Sequence, residues 1–211
     1  MELTKIARNV HSLSLSKEEN RVALLSDIHW DNPKCDRDML KRHLDYCLEN
    51  QIPVFINGDF FCCMQGRMDR RSNKSDIRPE HNNAKYIDSV VETAIEWWSP
   101  YAHLLTVIGY GNHETSIIKY SETDILQRFV DLLNYKNQSS VYTGGYGGWM
   151  VLKYQVRNNT SMTKNLKYFH GSGGGGVVTK GAINLTRALE TYENMDAVSY
   201  THLTLPTKRI V

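Results

Sequence analysis

Four short strings set oxygen and imidazole donors where they could do chemistry: Asp27-Ile-His29, Gly58-Asp59, Gly111-Asn112-His113-Glu114 and His170-Gly171. Each follows a compact apolar run, respectively Arg21–Ser26 (RVALLS), Pro53–Asn57 (PVFIN), Leu104–Ile108 (LLTVI) and Leu166–Phe169 (LKYF). Such runs read as buried strands, and open α/β sheets gather their sites at the C-terminal ends of strands. Asp59 lies 32 residues after Asp27, Asn112 lies 53 after Asp59, and His170 lies 58 after Asn112. Each interval has room for a helical crossover, which takes about 30 residues with its strands. Carboxylate, amide and imidazole without thiolate suit Mn²⁺, Fe or Zn²⁺. Two such ions about 3.5–4 Å apart need a shared anion between them. Asp59, preceded by a glycine that admits close backbone approach, is the candidate bridge. Singly these strings are weak, because a Gly-Asp after a strand is usually a turn and a lone histidine is more often structural. Their order and their placement at strand ends carry the argument.

The elements that must position them alternate. Helical spacing of apolar residues runs from Asp36 to Asn50 and again from Tyr86 to Trp98, and a capped helix is expected from Ser121 (SETD, then ILQRFVDLL). Val141–Arg157 reads as a glycine-interrupted hairpin and Thr179–Tyr192 as a helix, while the first twenty residues form an N-terminal arm or a short strand. Strands alternating with helices predict an α/β architecture.

That set of strings resembles the calcineurin-like metallophosphoesterase superfamily over about Arg21 to Ala197, and LLSDIHWDNPKCD, NGDFF, IGYGNHET and YFHGSGGGG resemble phage and prophage members. The resemblance implies a β-sandwich flanked by helices and two divalent metal ions, Mn²⁺ first among them. It implies that Asp27 and His29 bind one ion, that Asp59 bridges, and that Asn112 and His170 bind the other. It further implies that His113 assists the leaving group while Glu114 orients its imidazole. A metal-bridging hydroxide would then attack phosphorus in line, with a proton or positive charge supplied on the leaving side.

The chain departs from that family at its end. The family's last motif, Gly-His-x-His, has no counterpart, the nearest string being Ser199-Tyr200-Thr201-His202. Val198–Thr207 (VSYTHLTLPT) resembles one translated frame of a short-read library adapter. The expected organisation is therefore an arm over 1–20, an incomplete metallophosphoesterase domain over 21–197 lacking its last strand or strands, and a non-native tail over 198–211.

Arg67, Arg70, Arg71, Lys74 and Arg78 share one polar insertion after the Asp59 strand end. It either reaches over the site to hold a substrate phosphate or a DNA or RNA backbone, or is a solvated loop balanced by Asp69, Asp76 and Glu80. The run Gly171–Gly176 is no P-loop, since Val177 and Val178 stand where Lys and Ser/Thr belong. A net charge of +2 excludes an argument from bulk electrostatics. No apolar stretch reaches membrane-spanning length. Four cysteines without zinc-finger spacing fit free thiols in a reducing cytoplasm. The expected function is phosphodiester hydrolysis on nucleic acid. A small-molecule or protein phosphatase and a non-catalytic binding module of the same fold are the alternatives.

Overall fold

Runs with no polar break become one parallel sheet, and segments with polar interruptions become a second, mixed one. The computed structural model describes residues 1–16, 21–63, 73–157, 160–171 and 194–201. Its first half comprises β1 (Glu2–Ala7), β2 (Val10–Leu15), β3 (Ala23–Leu25), α1 (Arg37–Glu49), β4 (Val54–Ile56) and α2 (Tyr86–Trp98). Its second half comprises β5 (Leu105–Ile108), α3 (Asn112–Ser121), α4 (Ile125–Asn137), β6 (Tyr142–Thr143), β7 (Gly147–Arg157), β8 (Thr160–Phe169) and β9 (Ala197–Tyr200). The parallel sheet has the order β3-β4-β5-β6, and the mixed sheet has the order β1-β2-β7-β8-β9.

Alternation along the strands divides the core in two. Phe55 of β4 and Val107 of β5 face the second sheet, where they meet Leu13, Leu15, Met150, Leu152, Leu166 and Tyr168. Val54 and Ile56 face the other way, into Leu44, Val90, Ala94, Trp98, Phe129 and Leu133 of α1, α2 and α4. The result is the expected sandwich with helices on the outer face of the parallel sheet. Trp98 is fully buried, and its neighbour Trp97 packs against the core only in part.

Four local expectations change. The N-terminal segment is a pair of strands: β1 and β2 are antiparallel, and β2 pairs with β7 in parallel. The hairpin is not within 141–157 but between β7 and β8, because Gly144–Gly147 carries the chain from β6 in one sheet to β7 in the other. α3 is a helix the periodicity did not announce, since Ile117 is the one fully packed apolar side chain it offers the core. Ser121 ends α3 instead of opening α4, whose amide at Gln127 is capped by the Asp124 carboxylate at 2.9 Å. The helix expected over Thr179–Tyr192 lies outside the described residues.

His11 of β2 sits fully buried between the sheets, its ring 5.5 Å from that of Tyr142, with no hydrogen bond to either nitrogen. Burial, helped by the charge of Lys5, pushes its pKa down to about 4. The unfolded chain therefore takes up this proton first as pH falls. Stability is unaffected by His11 above about pH 6.5 and drops by up to about 3 kcal/mol as pH falls towards 4. Urea unfolding at pH 7 and pH 4.5 is expected to show a smaller acid loss in His11→Leu than in the parent chain.

Candidate metal centre

Three of the four parallel strands, β3, β4 and β5, deliver their following residues to one rim, and backbone hydrogen bonds extend the pairing past the strand ends. Asp27 N donates to Gly58 O at 3.1 Å, His29 N to Asp59 O at 3.0 Å, and Gly109 N to Ile56 O at 2.8 Å. The second sheet supplies the fourth string, because His170 N donates to Tyr146 O at 2.9 Å directly after β8. Asp27, His29 and Asp59 all have left-handed backbone, with φ of 51°, 46° and 50°. That conformation costs roughly 1 kcal/mol or more at each non-glycine residue, and such strain gathers at functional sites. Gly58, with φ of 77°, is packed so closely that a Cβ would lie 2.4 Å from His170 Nδ1.

The buried Asp59 carboxylate is the point of convergence. Its Oδ2 lies 3.2 Å from His170 Nε2, 3.8 Å from His29 Nε2 and 3.9 Å from His113 Nε2. His170 Nε2 also lies 3.2 Å from Asn112 Oδ1, and donor atoms of Asp27, Asp59 and His170 lie within 4.8 Å of one another. Asp59 Oδ1 accepts from His113 N at 3.0 Å, so this carboxylate caps the N-terminus of α3, where the helix favours negative charge. Burial works to raise the Asp59 pKa. The His170 hydrogen bond, the charge of His113 and that backbone amide outweigh it and hold the carboxyl down at about 2. His170 is shifted upward, burial being overcome by Asp59. His29 is shifted downward by burial and by the neighbouring His113.

Two buried carboxylates hold the loop that carries Asp59. Glu114 accepts from Asp59 N at 3.2 Å, Phe61 N at 2.9 Å and Gly111 N at 2.8 Å. Its pKa is pushed up to about 7 by burial and by the charge of Asp59, against those amide donors. Asp31 accepts from Cys62 N at 2.6 Å, Cys63 N at 2.8 Å and the Tyr86 hydroxyl at 3.2 Å. Glu114, expected to orient the His113 imidazole, accepts from three backbone amides and so fixes the loop. The Cys62 carbonyl accepts from His113 Nδ1 at 2.7 Å and orients that ring. Asp31 escaped the sequence reading, although a second carboxylate within SDIHWDN was its available sign.

The predicted donors Asp27, His29, Asp59, Asn112, His113 and His170 thus come together, with Glu114 behind them. The predicted substrate-binding cations do not all join them. Arg78 donates to Asn32 O at 3.1 Å and to Cys35 O at 2.9 Å, which makes it a tie for the loop after β3. Arg67, Arg70 and Arg71, the side chain of Lys74 and the residue His202 lie outside the described residues. β9 runs parallel to β8, and the Thr201 hydroxyl that follows it lies 3.0 Å from His170 Nδ1. A cavity of about 530 Å³ opens beside the centre, lined by Asp27, His29, Cys62 and His113 together with Leu25, Ile28, Met39 and Leu40.

Parallel strand ends converging on one buried carboxylate, in a two-sheet sandwich flanked by helices, define the class: an α/β fold with a candidate dinuclear metal centre. A family model of calcineurin-like phosphoesterases matches residues 20–203, and the chain belongs to that family. The chemistry of that family is metal-dependent hydrolysis of phosphoesters. No curated protein and no solved structure gives a significant match. Among the described residues no helix is long and apolar enough to cross a membrane.

Proposed function

We propose that the protein is a dinuclear metal-dependent phosphodiesterase whose substrate is nucleic acid. The observation that carries this reading is the convergence of oxygen and imidazole donors on the Asp59 carboxylate. Such mixed donors fit Mn²⁺, Fe or Zn²⁺. Asp27, His29 and Asp59 would hold one ion, and Asp59, Asn112 and His170 the other. Two bound divalent ions supply Lewis acidity toward a phosphoryl oxygen and activate water at neutral pH.

The rest is done by side chains. The Cys62 carbonyl can only accept, so His113 Nδ1 carries a proton and Nε2 takes or releases the second. That nitrogen faces Asp59 and borders the cavity, the position from which a leaving oxygen is protonated. A cavity of this size accepts a nucleoside-sized group, and the cations Arg67, Arg70, Arg71 and Lys74 follow the Asp59 loop in sequence. The apolar side chains that line the cavity favour a second reading, a phosphatase or diesterase for small molecules with a compact organic leaving group.

The test is steady-state hydrolysis of bis(p-nitrophenyl) phosphate and p-nitrophenyl phosphate with Mn²⁺. DNA and RNA are assayed as further substrates. The expected result is a diester preference of at least about tenfold in kcat/KM, roughly 1.4 kcal/mol, together with cleavage of a polynucleotide. A monoester preference supports the phosphatase. No turnover with Mn²⁺, Fe²⁺ or Zn²⁺ overturns the enzymatic reading in favour of a binding module.

A further inference from the structure

A second constellation lies beside the oxygen-rich one, and it is chemically different. Donor atoms of His29, Cys62 and His113 lie within 4.8 Å of one another. All three residues line the same cavity, so an ion entering it meets them directly. Asn32 Nδ2 donates to Cys62 Sγ at 3.2 Å, and burial pushes the thiol up to about 12, so the sulfur keeps its proton until a bound ion displaces it. His29 Nδ1 is buried without a hydrogen-bond partner, so that imidazole retains a nitrogen that no protein group uses.

We propose that His29, Cys62 and His113 form an alternative site for one soft divalent cation, Zn²⁺ or Cd²⁺, which competes with the dinuclear centre for His29. Two imidazoles and one thiolate, with a position left for water, are a normal ligand set for such an ion, which bonds nitrogen at about 2.0–2.1 Å and sulfur at about 2.3 Å. Tetrahedral bonding then places donor atoms roughly 3.3–3.8 Å apart, so they move inward by about 1 Å from the arrangement seen here. Ligand softness sorts the two sets. Asp27, Asp59 and Asn112 offer oxygen to hard ions, while Cys62 offers sulfur to soft ones. On binding, the Cys62 thiol proton leaves to solvent as the metal–sulfur bond forms.

An ion at this site occupies His113 and draws His29 away from Asp59, so it opposes hydrolysis. That consequence rests on the phosphoesterase reading. The binding does not, and its test needs no turnover.

Metal-free chain is titrated with Cd²⁺ while the ultraviolet thiolate-to-metal charge-transfer absorption is followed. The oxygen-rich set cannot produce that band, because it contains no sulfur. The expected result is a band saturating at one Cd²⁺ per chain, retained in Cys35→Ser and lost in Cys62→Ser and Cys62→Ala. Cys35 is the control because it lines the same cavity. His113→Ala and His29→Ala are expected to retain the band at saturation but to weaken binding by at least tenfold each. Absence of the band in the parent chain, its persistence in both Cys62 variants, or its loss in Cys35→Ser overturns the site. Unchanged affinity in either histidine variant overturns it as a three-ligand site.

Discussion

Asp59→Asn is expected to lower kcat/KM for the diester by about 10³-fold or more, equivalent to about 4 kcal/mol of transition-state stabilisation. The substitution keeps the shape and leaves Oδ1 able to accept from His113 N, a contact of 3.0 Å. It removes the negative charge at the atom that lies within 3.2–3.9 Å of three imidazoles. A carboxylate held at about 2 is fully ionised at neutral pH, and it is the one anion placed to be shared by two cations. Loss of charge therefore weakens both ion sites together. The check is steady-state kinetics beside a thermal melt. The melting temperature of the metal-free variant should stay near that of the parent, while the rise in melting temperature on adding Mn²⁺ should disappear.

Gly111→Ala should do comparable damage without touching a donor. A Cβ at Gly111 would lie 2.1 Å from Asp59 Oδ1 and 2.4 Å from Asp59 N. Neither atom can swing aside, because Glu114 holds the Asp59 amide and the carboxylate caps α3. Overpacking of this kind costs about 3 kcal/mol, which for a chain of this length lowers Tm by roughly 6–12 °C. Moving a reacting group by about 1 Å is worth around 10²-fold in rate, so activity falls in the part that remains folded. Gly109→Ala is the internal control, since its nearest neighbour would be Gly145 O at 3.2 Å. Circular-dichroism melts and diester kinetics on the two variants should separate them clearly.

The strand ends were legible because the chemistry there is written in residue types. Asp27, His29, Asp59, Asn112 and His170 follow largely apolar runs, and those runs became β3, β4, β5 and the end of β8. The helices α1 and α2 were legible for the same kind of reason, a period of 3.6 in apolar side chains. What the pattern hid were features decided by tertiary contacts. α3 was hidden because it exists to point its amides at Asp59, not to bury an apolar stripe. The pairing of β7 with β8 was hidden because Gly144–Gly147 reads as a turn, and only the second sheet makes it a crossing. The functions of Glu114 and Asp31 depend on four amides of one loop, at residues 59, 61, 62 and 63. Their spacing in sequence gives no sign of that. The backbone ties of Arg78 were equally hidden, because only the fold brings its guanidinium to the carbonyls of Asn32 and Cys35.

The central claim is that two ions share Asp59, and electron paramagnetic resonance of the Mn²⁺-loaded protein tests it most directly. The account predicts two Mn²⁺ per chain with an exchange-coupled spectrum, replaced in Asp59→Asn by the six-line signal of isolated Mn²⁺ at lower occupancy. A six-line signal in the parent protein at full loading, or coupling that survives in Asp59→Asn, would contradict it.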